Sequence, residues 1–212
     1  MTGATSTMMA LRDPDIRLML RVRADDRSAF GELVQKFQHR LVGIMHHLVG
    51  QHQEAEDLAQ EVFLRVYRNR KQYSPKAKFS TWLFTIANNL ALNAIRDRQR
   101  RKAQHLDVQE SSLMPANKGP APHQQLNQTE LASVIRAAMD ELNERQRMAV
   151  VLNKFEDMSY DDIAEVMGLS MKAVKSLLSR ARSKLRERLQ PYIDMDSAMP
   201  LGGEADDEHE EN

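Results

Sequence analysis

Cysteine is absent from the 212 residues. A disulfide framework, a thiolate metal site and a cysteine nucleophile are thereby excluded, and a reducing compartment such as the cytoplasm is the expected setting. No apolar run approaches the ~18 residues that would suggest a membrane span, so no membrane insertion is expected. Met1 to Ala10 has no basic region followed by a long apolar stretch, so no secretory signal is expected there. Alternating strand patterns and internal repeats are missing as well. Net charge is also missing: 30 basic side chains balance 30 acidic ones. Taken as a sum, that argues against a nucleic-acid partner.

The distribution of charge argues the other way. From Glu61 to Lys102 there are eleven Lys or Arg against two acids, and from Met171 to Gln190 seven against one. Glu204 to Glu211 carries six acids and no Lys or Arg. Two basic blocks are masked by acidic segments elsewhere, and a phosphate feels the local field rather than the total.

Apolar residues recur with helical spacing throughout, which predicts an all-α protein. Asp13-Pro14 marks a helix start, with Pro14 tolerated in the first turn. Asp25 or Asp26 can cap a second helix, which Gly50 ends. A third runs from about Glu54 to Arg70. A loop over Tyr73 to Lys78 precedes a fourth helix, for which Ser80 is the expected cap and Trp82, Leu83, Ile86, Ala87, Leu90 and Ala94 the apolar stripe. Between about Ala103 and Gln125 the periodicity dissolves among Pro115, Gly119, Pro120 and Pro122, which reads as a linker. Helical spacing returns after a cap at Asn127 and again after Asn143-Glu144-Arg145-Gln146, and Pro191 is expected to close the last helix. The expected layout is an extension at 1–13, a helical domain at 14–102, a linker at 103–126, a second helical domain at 127–191 and an acidic, disordered tail at 192–212.

The second domain carries the sharpest pattern. Ser159 can cap a short helix with Asp162 at its third position, Gly168 can supply the left-handed residue that stops it, and Ser170 can cap a longer helix. Ala164 is small enough to let the two cross closely. Helix, tight turn and helix form the DNA-reading helix-turn-helix unit. On the second helix Val174, Leu177, Leu178, Ala181 and Leu185 form one apolar stripe. Lys172, Lys175, Ser176 and Ser179 fall on the other side, flanked by Arg180, where they can reach base edges and phosphates. An amphipathic surface helix would show similar faces; the short first helix and tight turn favour the DNA reading.

Two further stretches align with it. In Glu54 to Tyr67, Asp57, Gln60, Glu61 and Arg65 share one helix face. Phe79-Ser80-Thr81-Trp82-Leu83 follows a basic loop. In this order and at these separations, Asp57-Leu58-Ala59-Gln60-Glu61-Val62-Phe63, Phe79 to Leu83 and Val174 to Arg182 resemble the extracytoplasmic-function (ECF) branch of the sigma-70 family of bacterial RNA polymerase sigma factors. The resemblance covers about residues 14–190. It implies two retained sigma regions joined by a linker, core RNA polymerase and promoter DNA as partners, and an anti-sigma factor as a further one.

The resemblance also implies roles for individual residues. The Glu54–Tyr67 helix, with Glu54, Asp57, Gln60, Glu61 and Arg65, would grip the clamp helices of the polymerase beta-prime subunit, with the beta subunit as a second contact. By spacing alone, solvated surface is the preferred reading of this face, and only the resemblance reverses it. Lys76, Lys78, Phe79, Asn88, Asn89, Arg96, Arg98, Arg100 and Arg101 would belong to the minus-ten and promoter-melting element. Core packing competes with base contact for Phe79 and is favoured for Trp82, while Asn88 and Asn89 can equally face water. Lys172, Lys175, Ser176, Ser179, Arg180 and Arg182 would read the minus-thirty-five element. Lys172 stands where the family commonly has a small residue near the helix start.

Enzymatic chemistry finds no support. His39, His46, His47 and His52 cluster loosely, but adjacent His46 and His47 point about 100° apart on a helix, and no metal or cofactor is expected. No nucleophile–base pair, phosphate loop or catalytic carboxylate pair emerges. The competing reading is a stand-alone helix-turn-helix regulator whose N-terminal domain dimerises or senses a ligand. A nuclease using the His and acidic residues is a third.

Overall fold

A computed structural model describes residues 13–106 and 128–197. Residues 1–12 of the expected extension, most of the linker, the Asn127 cap and the Glu204–Glu211 stretch of the tail lie outside the described residues. Within them the chain forms eight α-helices and one 3-10 turn, with no strand.

The first domain begins with α1 (Pro14–Arg23). Asp13 accepts from the backbone N–H of Asp15 at 2.8 Å and of Ile16 at 3.4 Å, and Pro14, which has no N–H to leave unpaired, takes the first helical position. Asp26, rather than Asp25, caps α2 (Arg27–Val49) by accepting from Ala29. That bond, aided by Arg21, holds the Asp26 carboxyl below the usual range. Gly50 ends the helix at φ 81°, its N–H bonded to the carbonyl of His46. α3 spans His52–Arg68, starting two residues earlier than the pattern suggested and stopping short of Arg70, which belongs to the 3-10 turn Arg70–Gln72.

α4 (Phe79–Leu106) closes this domain. It does not start behind a Ser80 cap. The Lys78 carbonyl accepts from Thr81 and Trp82 at 3.1 and 3.4 Å, and Ser80 lies inside the first turn. The reason is packing: Phe79 is fully buried, edge-on to Phe37 with ring centres 5.3 Å apart. The core gathers Leu33, Phe37, Leu41 and Met45 from α2, Val62 and Val66 from α3, and Phe79, Leu83 and Phe84 from α4. α4 also runs to Leu106, past the expected boundary at 102.

The second domain comprises α5 (Gln128–Asp140), α6 (Glu144–Lys154), α7 (Tyr160–Met167) and α8 (Met171–Ser197). A reciprocal capping box opens α6: Asn143 accepts from the Gln146 backbone at 2.9 Å, and the Gln146 side chain accepts from the Asn143 backbone at 3.2 Å. Met148, Val151, Leu152, Ile163, Val166, Val174, Leu178 and Ala181 make the core. Pro191 does not end α8, which continues to Ser197 and so takes up the first residues of the expected tail. Pro191 is exposed. Its φ is compatible with a helix, and an outward carbonyl freed by its missing N–H can bond water, although proline inside a helix still costs about 3 kcal/mol.

Ser159 caps the start of α7, and Gly168 and Ser170 form the turn that follows it, as expected. Ser159 Oγ accepts from the Asp162 N–H at 3.1 Å, and Ser170 Oγ from the Ala173 N–H at 3.2 Å. Gly168 sits at φ 62°, ψ 39°, and the Leu169 N–H returns to the Ala164 carbonyl at 2.9 Å. A Cβ at Gly168 would meet nothing within 4 Å, so the requirement for glycine is purely one of backbone angle. Gly168→Ala should therefore destabilise the second domain by about 1–2 kcal/mol, and Gly168→Asn by less, because asparagine tolerates this region. Paired thermal melts of the full chain check the order.

The two domains touch. α2 packs against α6, and α4 against α7.

Candidate nucleic-acid interface

The turn sets α8 so that its apolar stripe is held from below. Val174, Leu178 and Ala181 are buried, with Leu177 and Leu185 partly so. Lys172, Lys175, Ser179, Arg180 and Arg182 consequently stand exposed, and Ser176 half-buried. Arg180 donates to Ser176 Oγ through Nε at 3.3 Å and through a terminal nitrogen at 2.7 Å, which fixes the guanidinium along the helix. Arg182 donates to the Tyr160 hydroxyl at 3.0 Å and so ties the reading helix to α7. A rigid helix presents a row of hydrogen-bonding and cationic groups with its back anchored, the geometry needed in a major groove.

The minus-ten candidates divide. Lys76, Lys78, Asn89, Arg96, Arg98, Arg100 and Arg101 are exposed. Phe79 is fully buried and Asn88 is 3% exposed. The expectation that these two meet DNA is corrected: in this conformation both are interior groups. Phe79 packs on Phe37, Tyr73 and Trp82, and Asn88 falls on the buried side of α4 between Phe84 and Ala91. Trp82 is half-buried, its ring 4.9 Å from that of Tyr73 in an edge contact. Burial raises the Tyr73 hydroxyl well above its ordinary range and keeps it neutral. Among the basic side chains, Arg98 is drawn back to the domain, donating to the Val49 carbonyl at 2.8 Å and facing Glu54 at 3.5 Å.

The α3 face is solvent-facing as expected. Asp57 and Gln60 are exposed, Glu54, Glu61 and Arg65 half-buried, and Ala55, Ala59, Val62, Phe63 and Val66 hold the opposite side in the core. Arg65 donates to Glu61 at 2.9 Å, and this bond holds the Glu61 carboxyl below its usual range. Leu64, 49% exposed, completes the face. The sequence reading did not include it, although it lies four residues after Gln60 and seven after Asp57, which is the spacing of one helix face. Phe155, half exposed, and Arg40 were also missed.

Two helical modules, the second a helix-turn-helix with a basic outer face and the first with a basic α4 end, define a two-domain DNA-binding protein. Residues 33–101 match the family model for sigma-70 region 2, and residues 133–185 that for sigma-70 region 4. The RNA polymerase sigma-H factor of Pseudomonas aeruginosa is 32% identical over 190 residues, 87% of this chain and 98% of its own length. ECF RNA polymerase sigma factor SigE of Mycolicibacterium smegmatis is 35% identical over 77% of this chain and 63% of its own. Among solved structures, CnrH in complex with the cytosolic domain of CnrY is similar with TM-score 0.62 at 27% identity, covering 87% of this chain and 99% of that one. The sigma factor RpoE of Bartonella quintana, in complex with the anti-sigma factor NepR, gives TM-score 0.59 at 27% identity, covering 76% and 96%.

The chain belongs to the ECF branch of the sigma-70 family of RNA polymerase sigma factors. It is a transcription-initiation factor that acts with RNA polymerase to direct promoter-specific transcription; a stand-alone regulator would not carry both sigma regions in this order. No helix among the described residues is long and apolar enough to cross a membrane.

Proposed function

We propose that the three surfaces divide the work of initiation. The α3 face of Glu54, Asp57, Gln60, Glu61, Leu64 and Arg65 binds the beta-prime clamp helices of core polymerase. Lys76, Lys78, Asn89, Arg96, Arg98, Arg100 and Arg101 hold the minus-ten region and its separated strands, substituting backbone contacts for lost stacking. Lys172, Lys175, Ser176, Ser179, Arg180 and Arg182 read the minus-thirty-five element. The protein acts in the cytoplasm, performs no covalent chemistry of its own, and is restrained by an anti-sigma partner of the kind bound to the similar RpoE of Bartonella quintana.

One observation carries the promoter assignment: the exposed Lys175–Ser179–Arg180 row stands directly over the buried Val174–Leu178–Ala181 stripe. Lys175→Ala or Arg180→Ala should weaken recognition of the upstream element, by about 1–3 kcal/mol where the side chain makes a bidentate base contact. A phosphate contact would instead lower affinity evenly across sequences and reduce the salt slope by about one. The test is a panel of altered upstream elements assayed with holoenzyme. An unchanged sequence preference for every substitution at Lys175, Ser176, Ser179 and Arg180 would remove α8 as the reader.

A further inference from the structure

Cations on the first domain are matched where they stand: Arg21, Arg65, Arg70 and Lys71 each lie 2.5–2.9 Å from a carboxylate. The reading helix differs. From Met171 to Gln190, α8 carries seven Lys or Arg against one acid. Among the described residues only one of these seven, Arg188, pairs with a carboxylate, that of Glu141 at 2.9 Å. Arg180 and Arg182 bond hydroxyl groups instead.

The unmatched charge converges on a cleft. α6 packs against α8, and this sets Arg145 of α6 beside Lys172 and Arg180. All three are exposed. They rim a cleft of about 360 Å³ that has Leu169 and Leu177 in its walls, the Ser176 side chain on its lining, and no acidic residue. Its volume falls in the range of ligand sites, roughly 300–1,000 Å³. Three cations round one opening repel one another, and an anion placed among them relieves all three.

We infer that the acidic stretch Glu204–Glu211 of the same chain docks in this cleft and covers the reading side of α8 when DNA is absent. The stretch lies outside the described residues; its sequence holds six carboxylates and no Lys or Arg, the complement of what the cleft presents. Length permits the contact. α8 ends at Ser197, about 26 Å along the helix from Arg180 and about 38 Å from Lys172 at 1.5 Å per residue. The 14 residues from Ser197 to Glu211 span at most roughly 46–50 Å. The carboxylates therefore reach the cleft with chain left over for a reversal of direction, and Pro200 and Gly202-Gly203 are residue types that favour one.

The docking is reversible. Each exposed ion pair is weak and screened by salt, but attachment to the same chain gives a local concentration in the millimolar range, at which several weak pairs act together. The tail carboxylates take the ground that a DNA phosphate takes, so the tail lowers non-specific binding and yields to a promoter that adds base contacts. That competition rests on the promoter reading of Lys172 and Arg180 above; the docking does not.

The absence of cysteine makes the test direct. His209 lies inside the acidic stretch without being one of its carboxylates, so His209→Cys gives a single attachment point for a nitroxide label on the full chain. Amide relaxation is then measured on isotope-labelled protein at low salt, without DNA or polymerase. The amides of Lys172, Ser176 and Arg180 should broaden, and the broadening should fall away at about 0.5 M salt, where exposed charges are screened. Arg145→Gln combined with Lys172→Gln should cut the broadening at Ser176 and Arg180 by roughly threefold. Cleft amides that do not broaden at low salt, or that broaden regardless of these two substitutions, would overturn the docking. So would equal broadening with the nitroxide and the isotope on different molecules, which places the tail on a second copy. A separate arm tests the competition. Changing the six tail carboxylates to amides should tighten binding of duplex DNA by roughly three- to tenfold at low salt, and by less when Arg145 and Lys172 are already Gln. Unchanged affinity, or an equal gain in both backgrounds, which is repulsion at a distance, would overturn the competition. Because no DNA is present in the first arm, docking stands or falls independently of which residues read the promoter.

Discussion

Phe79→Ala is expected to unfold the first domain in preference to weakening promoter recognition. Phe79 has no exposed surface. Its ring meets Phe37 at 5.3 Å, Trp82 at 6.1 Å and Tyr73 at 6.2 Å, so truncation leaves a cavity bounded by three aromatic rings from three parts of the domain. Phe→Ala in such a core costs about 3–5 kcal/mol, a large share of the 5–15 kcal/mol that a whole protein typically has. Asn89→Ala, at an exposed position on the same helix, should change stability by under about 0.5 kcal/mol. Urea denaturation of the two variants separates the roles. A stable Phe79→Ala protein defective only in promoter opening would return Phe79 to the DNA surface.

Reversing the charge of Asp57 and Glu61 together should have the largest effect on function. Their side chains leave the folded core untouched, since α3 buries Ala55, Ala59, Val62, Phe63 and Val66 on its other side. The bond from Arg65 holds Glu61 ionised at neutral pH, and Asp57 is exposed. Against a basic partner, two like-charge encounters replace two attractive ones, and affinity for core polymerase should fall on the order of 100-fold. The loss should shrink as salt rises, because rim charges are screened. Leu64→Ala should weaken binding without that salt dependence, since its share is apolar area. Unchanged affinity in a core-binding titration, with helicity intact, would remove the α3 face as the polymerase contact.

The helix-turn-helix was readable because local chemistry writes it. Ser159, Gly168 and Ser170 each act within a few residues of their own position, and the stripe of Val174, Leu178 and Ala181 sits at one helical spacing. Phe79 and Asn88 came to the DNA surface only through the family resemblance, and packing puts both inside the domain. The apolar row in fact begins with Phe79, three residues before Trp82, and continues through Leu83 and Ala87 at successive fours. A second row of Phe84, Asn88, Ala91 and Ile95 carries the buried amide inside it. Pro191 signalled a stop that an exposed helix end did not require. Arg40 and Glu156 are 116 residues apart; each alone is an ordinary surface charge, and only the folded chain shows that they meet. The polymerase face needed the family resemblance, because a solvated helix side and a docking side have the same spacing.

Run-off transcription with purified core polymerase on genomic fragments tests the central claim most directly. Discrete start sites sharing upstream and downstream elements should appear only when the protein is added, and should vanish with the Asp57 and Glu61 reversal. Sequence-specific binding of duplex DNA by the protein alone, with no new transcript when it joins core polymerase, would contradict the account.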